Sequence, residues 1–133
     1  MTSDTRKIRI LAVDDHALLR KGIAALINAE PDIKLVAEAA NGQEAIAEFK
    51  KHQPDVTLMD LQMPDMNGLE TTAAMRQIPG YETVPILALT ADTSDEMRDL
   101  CRRQGMQAFL SKPFDKNELY AVISKYLKPD SAA

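Results

Sequence analysis

Five short apolar runs punctuate this chain, and four of them stop on a chemically loaded residue. Ile8–Val13 runs into Asp14-Asp15, and Val56–Met59 into Asp60. Ile86–Leu89 ends at Thr90, and Ala108–Leu110 passes through Ser111 to Lys112-Pro113. The fifth run, Leu35–Ala39, has no such ending. The runs are nearly continuous in apolar residues, as expected of parallel strands covered on both faces. Strands of one parallel sheet bring their ends to one edge, where open α/β folds hold their ligands. Three carboxylates, a hydroxyl and an ammonium would then converge from distant segments.

Between the runs lie segments with helical spacing. Leu19, Ile23, Leu26 and Ile27 form one stripe, Ala45, Ile46 and Phe49 a second, and Leu69, Thr72 and Ala73 a weaker third. Met97, Leu100, Cys101 and Gln104 form a fourth; Leu119, Val122, Ile123, Tyr126 and Leu127 form the strongest. Four helix starts carry a short polar residue followed three positions later by Glu: Asn41 with Glu44, Asn67 with Glu70, Thr93 with Glu96, and Asp115 with Glu118. That pattern satisfies helix N–H groups that have no partner within the helix. Pro31, Pro54, Pro79-Gly80, Gly105 and Pro129 mark the stops. Five strand-then-helix units predict one α/β domain with helices on both faces of a parallel sheet. Residues 1–6 are expected to be a disordered N-terminal tail, 7–128 the folded domain and 129–133 a C-terminal tail.

At 133 residues the chain has one domain's length, and a formal charge of −4 argues against a nucleic-acid surface. Arg98, Arg102 and Arg103 lie among Asp95, Glu96 and Asp99, which reads as a solvated helix face. The single cysteine, Cys101, falls in the apolar pattern and reads as a buried thiol. No stretch approaches the roughly 18–20 apolar residues of a membrane span, and Met1–Lys7 is no signal peptide. A cytoplasmic location with no membrane contact is the expectation.

Asp14 and Asp15 repel each other unless a cation lies between them. A hard ion such as Mg²⁺ suits oxygen donors (Mn²⁺ is an alternative), with Asp15 and Asp60 as direct ligands and Asp14 acting through a water. The backbone carbonyl of Gln62, in the turn after Asp60, would complete the protein's share. A carboxylate in such a site can be a ligand only, or also a nucleophile toward phosphorus. Lys112 would pair with phosphoryl oxygens and Thr90 would donate a hydrogen bond to another. A cis Lys112-Pro113 bond would aim the lysine inward. His16 reads as a helix-start residue, since Mg²⁺ prefers oxygen, and His52 as the end of a helix.

The set Asp14-Asp15, Asp60, Thr90 and Lys112-Pro113 resembles the receiver domain of two-component response regulators over about residues 7–128. Val13-Asp14-Asp15-His16, Met59-Asp60-Leu61-Gln62-Met63-Pro64 with Asn67-Gly68, and Ala88-Leu89-Thr90-Ala91 carry the likeness further. The resemblance implies a (βα)5 doubly wound sheet of flavodoxin-like strand order 2-1-3-4-5. It implies Mg²⁺-dependent transfer of a phosphoryl group to Asp60 from a histidine kinase or a histidine phosphotransfer protein. Phe109 matches the family's switch aromatic. With Thr90 it would change the surface of the fourth helix, fifth strand and fifth helix, and so control an output partner or a phosphorylation-dependent homodimer.

By the same likeness the chain is a signalling phosphoacceptor rather than an enzyme, and binds no nucleic acid itself. Asp92 is expected to influence the access of water to the phosphoryl group. Segments of the first half resemble receivers joined to helix-turn-helix outputs, and segments of the second half those of hybrid kinases. The output therefore stays open, as does the choice between a stand-alone receiver and a piece of a larger protein. Two other readings stand beside this one: an interaction module that works without phosphorylation, and a Mg²⁺-dependent phosphatase with an aspartyl nucleophile. Gln62 stands where such phosphatases carry a second Asp.

Overall fold

A computed structural model describes residues 7–63, 67–92, 94–112 and 114–125. Five strands, β1 (Ile8–Val13), β2 (Ile33–Ala39), β3 (Val56–Asp60), β4 (Ile86–Thr90) and β5 (Ala108–Ser111), form one parallel sheet in the order β2-β1-β3-β4-β5. Helices α1 (Ala17–Asn28), α2 (Gly42–His52), α3 (Gly68–Arg76), α4 (Asp95–Arg103) and α5 (Lys116–Ser124) alternate with them. The expected doubly wound (βα)5 architecture and strand order are both present.

Although the strands read as continuous apolar runs, strand alternation divides them between two cores. Ile8, Ile10, Ala12, Val56, Leu58, Leu87, Leu89 and Leu110 pack with Ile23 and Ile27 of α1 and Leu119 and Ile123 of α5. Leu11, Val13, Met59, Ile86 and Ala88 face the other way, against Ala45 and Phe49 of α2, Met75 of α3 and Cys101 of α4. Burial of both faces leaves the central strands β3 and β4 buried at every position and fixes their register, because a one-residue slip would exchange the two cores.

The helix starts follow the expected chemistry with two differences. Asn67 and Asp115 form reciprocal caps with Glu70 and Glu118. Asn41 accepts from the Glu44 N–H, but the Glu44 carboxylate accepts from Ala40 rather than from Asn41. The start of α4 is capped by Ser94, whose hydroxyl accepts from Met97, so the helix begins one residue later than the Thr93 pattern implies. Thr93 itself lies outside the described residues, as do Pro64, Pro113, Tyr126, Leu127, Pro129 and both expected tails. β2 starts at Ile33, two residues before the apolar run, because Ile33 is buried opposite Ile8 while the intervening Lys34 points outward. In α4 only Cys101 of the expected stripe is fully buried; Leu100 is exposed.

Gly68 decides how closely α3 can approach the end of β3. A Cβ at this position would stand 2.4 Å from the Asp60 carbonyl oxygen and 2.8 Å from Leu61 Cα. The glycine lets its own N–H reach the Leu61 carbonyl at 3.2 Å. Among the described residues, no helix is long and apolar enough to cross a membrane.

Candidate functional site

The four loaded strand ends do meet. β1 lies between β2 and β3 in the sheet, and Asp14 continues it, its N–H bonded to the Ala39 carbonyl of β2. Asp60 closes β3 beside Leu89 of β4, and Thr90 pairs in register with Ser111 of β5. The Lys112 N–H donates to the Thr90 carbonyl at 2.8 Å, which extends the β4–β5 pairing as far as the lysine. Its ammonium lies 3.1 Å from Asp60 Oδ1 and 3.2 Å from Asp14 Oδ2.

Asp14 and Asp60 are buried, whereas Asp15 is partly exposed. Burial pushes the Asp60 carboxyl above its ordinary range and the Asp14 charge adds to this; the bonds from Lys112 and from the Gln62 N–H act in the opposite direction. Two buried oxygens, Asp60 Oδ2 and Asp15 Oδ1, accept no hydrogen bond. One donor atom from each of Asp14, Asp15, His16 and Asp60 falls within 4.8 Å of the others. Unsatisfied buried carboxylate oxygens in one acidic cluster are costly unless a cation completes them, and the donor set fits a divalent ion.

Thr90 is buried, and its hydroxyl oxygen accepts from the Asp92 N–H at 3.0 Å, leaving the hydroxyl hydrogen free to donate. Phe109 pairs in register with Ala88, which shares a sheet face with Thr90, so hydroxyl and ring lie on one side of the sheet. The ring is half-buried, and Arg98 of α4 lies over it at 4.8 Å. Arg98 is exposed like Arg102 and Arg103, as expected of a solvated face, but it lies on the Phe109 ring whereas the other two pair with Asp99. Exposed Asp92 accepts from the Ser94 N–H, and its bonds to Ser94 lower its carboxyl pKa. Gln62 is exposed, with its N–H 3.2 Å from Asp60 Oδ1.

Arg20 belongs to none of the site motifs yet supports the acids. Its Nη1 donates to the Asp14 carbonyl at 2.6 Å and its Nε to Glu38 of β2 at 3.2 Å, so α1 holds the backbone of the acid pair. The available signal was a charged residue directly after Leu19 of the inward stripe. His16 occupies the start of α1 as expected, but its side chain makes no capping bond.

The family model described as the response regulator receiver domain matches residues 10–124. The chain belongs to the receiver domain family of response regulators. It is 32% identical over 117 residues to the transcriptional regulatory protein DegU of Brevibacillus brevis, covering 88% of this chain and 49% of that protein. It is 34% identical over 117 residues to the nitrate/nitrite response regulator protein NarL of Escherichia coli strain K12, covering 88% and 53% respectively. This receiver therefore spans about half the length of these relatives. The chemotaxis protein CheY4 of Vibrio cholerae superimposes with a TM-score of 0.85 at 32% identity, over 91% of this chain and 99% of that one.

Proposed function

We propose that Asp60 is the phosphoacceptor of a two-component or phosphorelay system. The observation that supports it most is the division of labour on its carboxylate, with Oδ1 on Lys112 and Oδ2 buried without a partner. One oxygen is neutralised and oriented while the other keeps its lone pairs for phosphorus. Lys112 then pairs with the oxygens of the transferred group, and Thr90 donates its hydroxyl hydrogen to one of them. Asp15, Asp60 and the Gln62 carbonyl would hold Mg²⁺ (or Mn²⁺), with Asp14 acting through a water. The ion supplies charge neutralisation for the phosphoryl oxygens.

The donor in this reading is a histidine kinase or a histidine phosphotransfer protein. The surface offered to it is an apolar groove of about 560 Å³ along α1, lined by Leu19, Gly22, Leu26, Lys112 and Phe114 among others. Leu18, in the first turn of α1, is 83% exposed. Movement of Thr90 toward the phosphoryl group would free space on its sheet face for Phe109. That movement would alter the α4-β5-α5 surface presented to an output partner or to a second copy of the chain. The chain records a phosphorylation event in the cytoplasm and assists its own phosphorylation and dephosphorylation, rather than turning over a separate substrate.

Acetyl phosphate or a phosphorylated histidine donor with Mg²⁺ should add one phosphoryl group per chain, mapped by mass spectrometry to Asp60 and absent from Asp60→Ala. Unlabelled Asp60 would favour the phosphorylation-independent module, and repeated turnover of phosphate esters would favour the phosphatase.

A further inference from the structure

His16 has a side-chain position that its place at a helix start does not explain. The ring caps nothing in α1; its Nδ1 lies 3.2 Å from Asp14 Oδ1 and 3.2 Å from Asp15 Oδ1, with hydrogen-bonding geometry only toward Asp14. The His16 backbone N–H also donates to Asp14 Oδ1 at 2.8 Å, which locks this carboxylate beside the ring. On an ion with bonds of about 2.1 Å, neighbouring donors stand roughly 3.0 Å apart in an octahedron and 3.4 Å in a tetrahedron. The two spacings from Nδ1 fall between these. Asp60 is 1% exposed and keeps one oxygen without a hydrogen bond, in the same cluster of four donors.

We propose that His16 Nδ1 joins Asp14, Asp15 and Asp60 as a fourth donor, making the acid pocket a mixed nitrogen–oxygen site for first-row transition ions of the Zn²⁺ and Co²⁺ class. The proposal rests on reading the pocket as a cation site. Imidazole raises affinity for Zn²⁺ and Co²⁺ far more than for Mg²⁺, which takes oxygen and retains its waters. The His16 side chain is 69% exposed, so an incoming ion can reach Nδ1 and take the place of the proton that Nδ1 shares with Asp14 Oδ1. Four protein donors fill a tetrahedral shell and leave no position for a phosphoryl oxygen. Zn²⁺ bound in this way competes with Mg²⁺ and blocks labelling of Asp60.

The chain contains two histidines, which provides an internal reference. His52 ends α2 with its Nε2 3.1 Å from Glu48, at the edge of the sheet away from the acids. Zn²⁺ titrated into the untagged chain should shift the imidazole nitrogen signals of His16 at one equivalent and leave those of His52 in place. His16→Ala should lower Zn²⁺ affinity by at least about tenfold, and Mg²⁺ affinity far less, in calorimetric titrations. Equal losses for both ions, or Zn²⁺ binding that leaves the His16 signals unmoved, would overturn the proposal while the pocket remains a cation site. Binding of neither ion by the parent chain would overturn the underlying cation-site reading as well.

Discussion

Lys112 places its ammonium 3.1 Å from one oxygen of Asp60 and leaves the other oxygen buried without a donor. The carboxylate is thus only half compensated. Burial first, then Asp14, raises its pKa against the opposing bonds from Lys112 and Gln62. A carboxyl whose folded pKa is raised contributes stability below its ordinary value of 3.8 that is lost as pH rises through the folded value. With divalent ions chelated at neutral pH, Asp60→Asn should therefore stabilise the fold by about 1 kcal/mol. In urea unfolding, the gain should shrink as pH falls toward the ordinary carboxylate range.

Gly68→Ala should act in the opposite direction. The added Cβ meets backbone at Asp60 and Leu61 as well as the Leu61 side chain, and the backbone cannot swing aside, so α3 must withdraw from the end of β3. The expected cost is about 1–3 kcal/mol by chemical denaturation. Gly22→Ala is the matched control. Nothing lies within 4 Å of a Cβ there, and alanine within α1 should stabilise by roughly 0.5–1 kcal/mol.

Tyr120 of α5 donates its hydroxyl to Asp32, just before β2, and this bond first, then burial, raises the phenol pKa to about 12. The native state keeps a proton that the unfolded chain releases near pH 10, so the contribution is complete below pH 10 and lost on approaching 12. Tyr120→Phe should cost about 1 kcal/mol near neutral pH. Its denaturation midpoint should converge on that of the parent chain as the solution becomes strongly alkaline.

Arg98 lies over Phe109 with no carboxylate within salt-bridge distance among the described residues, although Asp95, Glu96 and Asp99 share its helix. A cation–π contact at an exposed site contributes about 0.5–1 kcal/mol, which holds the ring in its present position. If the ring moves on activation as proposed, Arg98→Gln should increase beryllofluoride affinity about two- to fivefold in the presence of Mg²⁺. A fluorine label on Phe109 should report the same shift in population.

The sheet and its acidic edge could be read from the chain because the signals are local. Apolar runs mark the strands, and Asn41, Asn67 and Asp115 mark helix starts through bonds to residues three positions away. Contacts that depend on the folded topology were not readable in this way. Arg20 finds the Asp14 carbonyl and Glu38 only once β2 lies beside β1. Arg76 reads as an ordinary final-turn arginine, yet it donates to the Tyr81, Val84 and Gly105 carbonyls and to Gln107. Ser94 took the capping role that Thr93 also suited, because adjacent short hydroxyl residues offer the same chemistry. His16 stands at the helix start that the sequence indicates, but the direction of its ring toward Asp14 depends on the folded loop.

Lys112 and Asp14 are 98 residues apart, and this separation has a consequence for the making of the protein. During synthesis, β1 through β4 can leave the ribosome and begin to pair before the lysine exists. The acids of β1 and β3 would then face one another without their counter-charge, and the strand carrying Phe109 would be missing. The last strand to emerge therefore delivers both the cation that settles the acids and the aromatic ring beside Thr90. A chain cut short before β5 should therefore remain open to proteolysis.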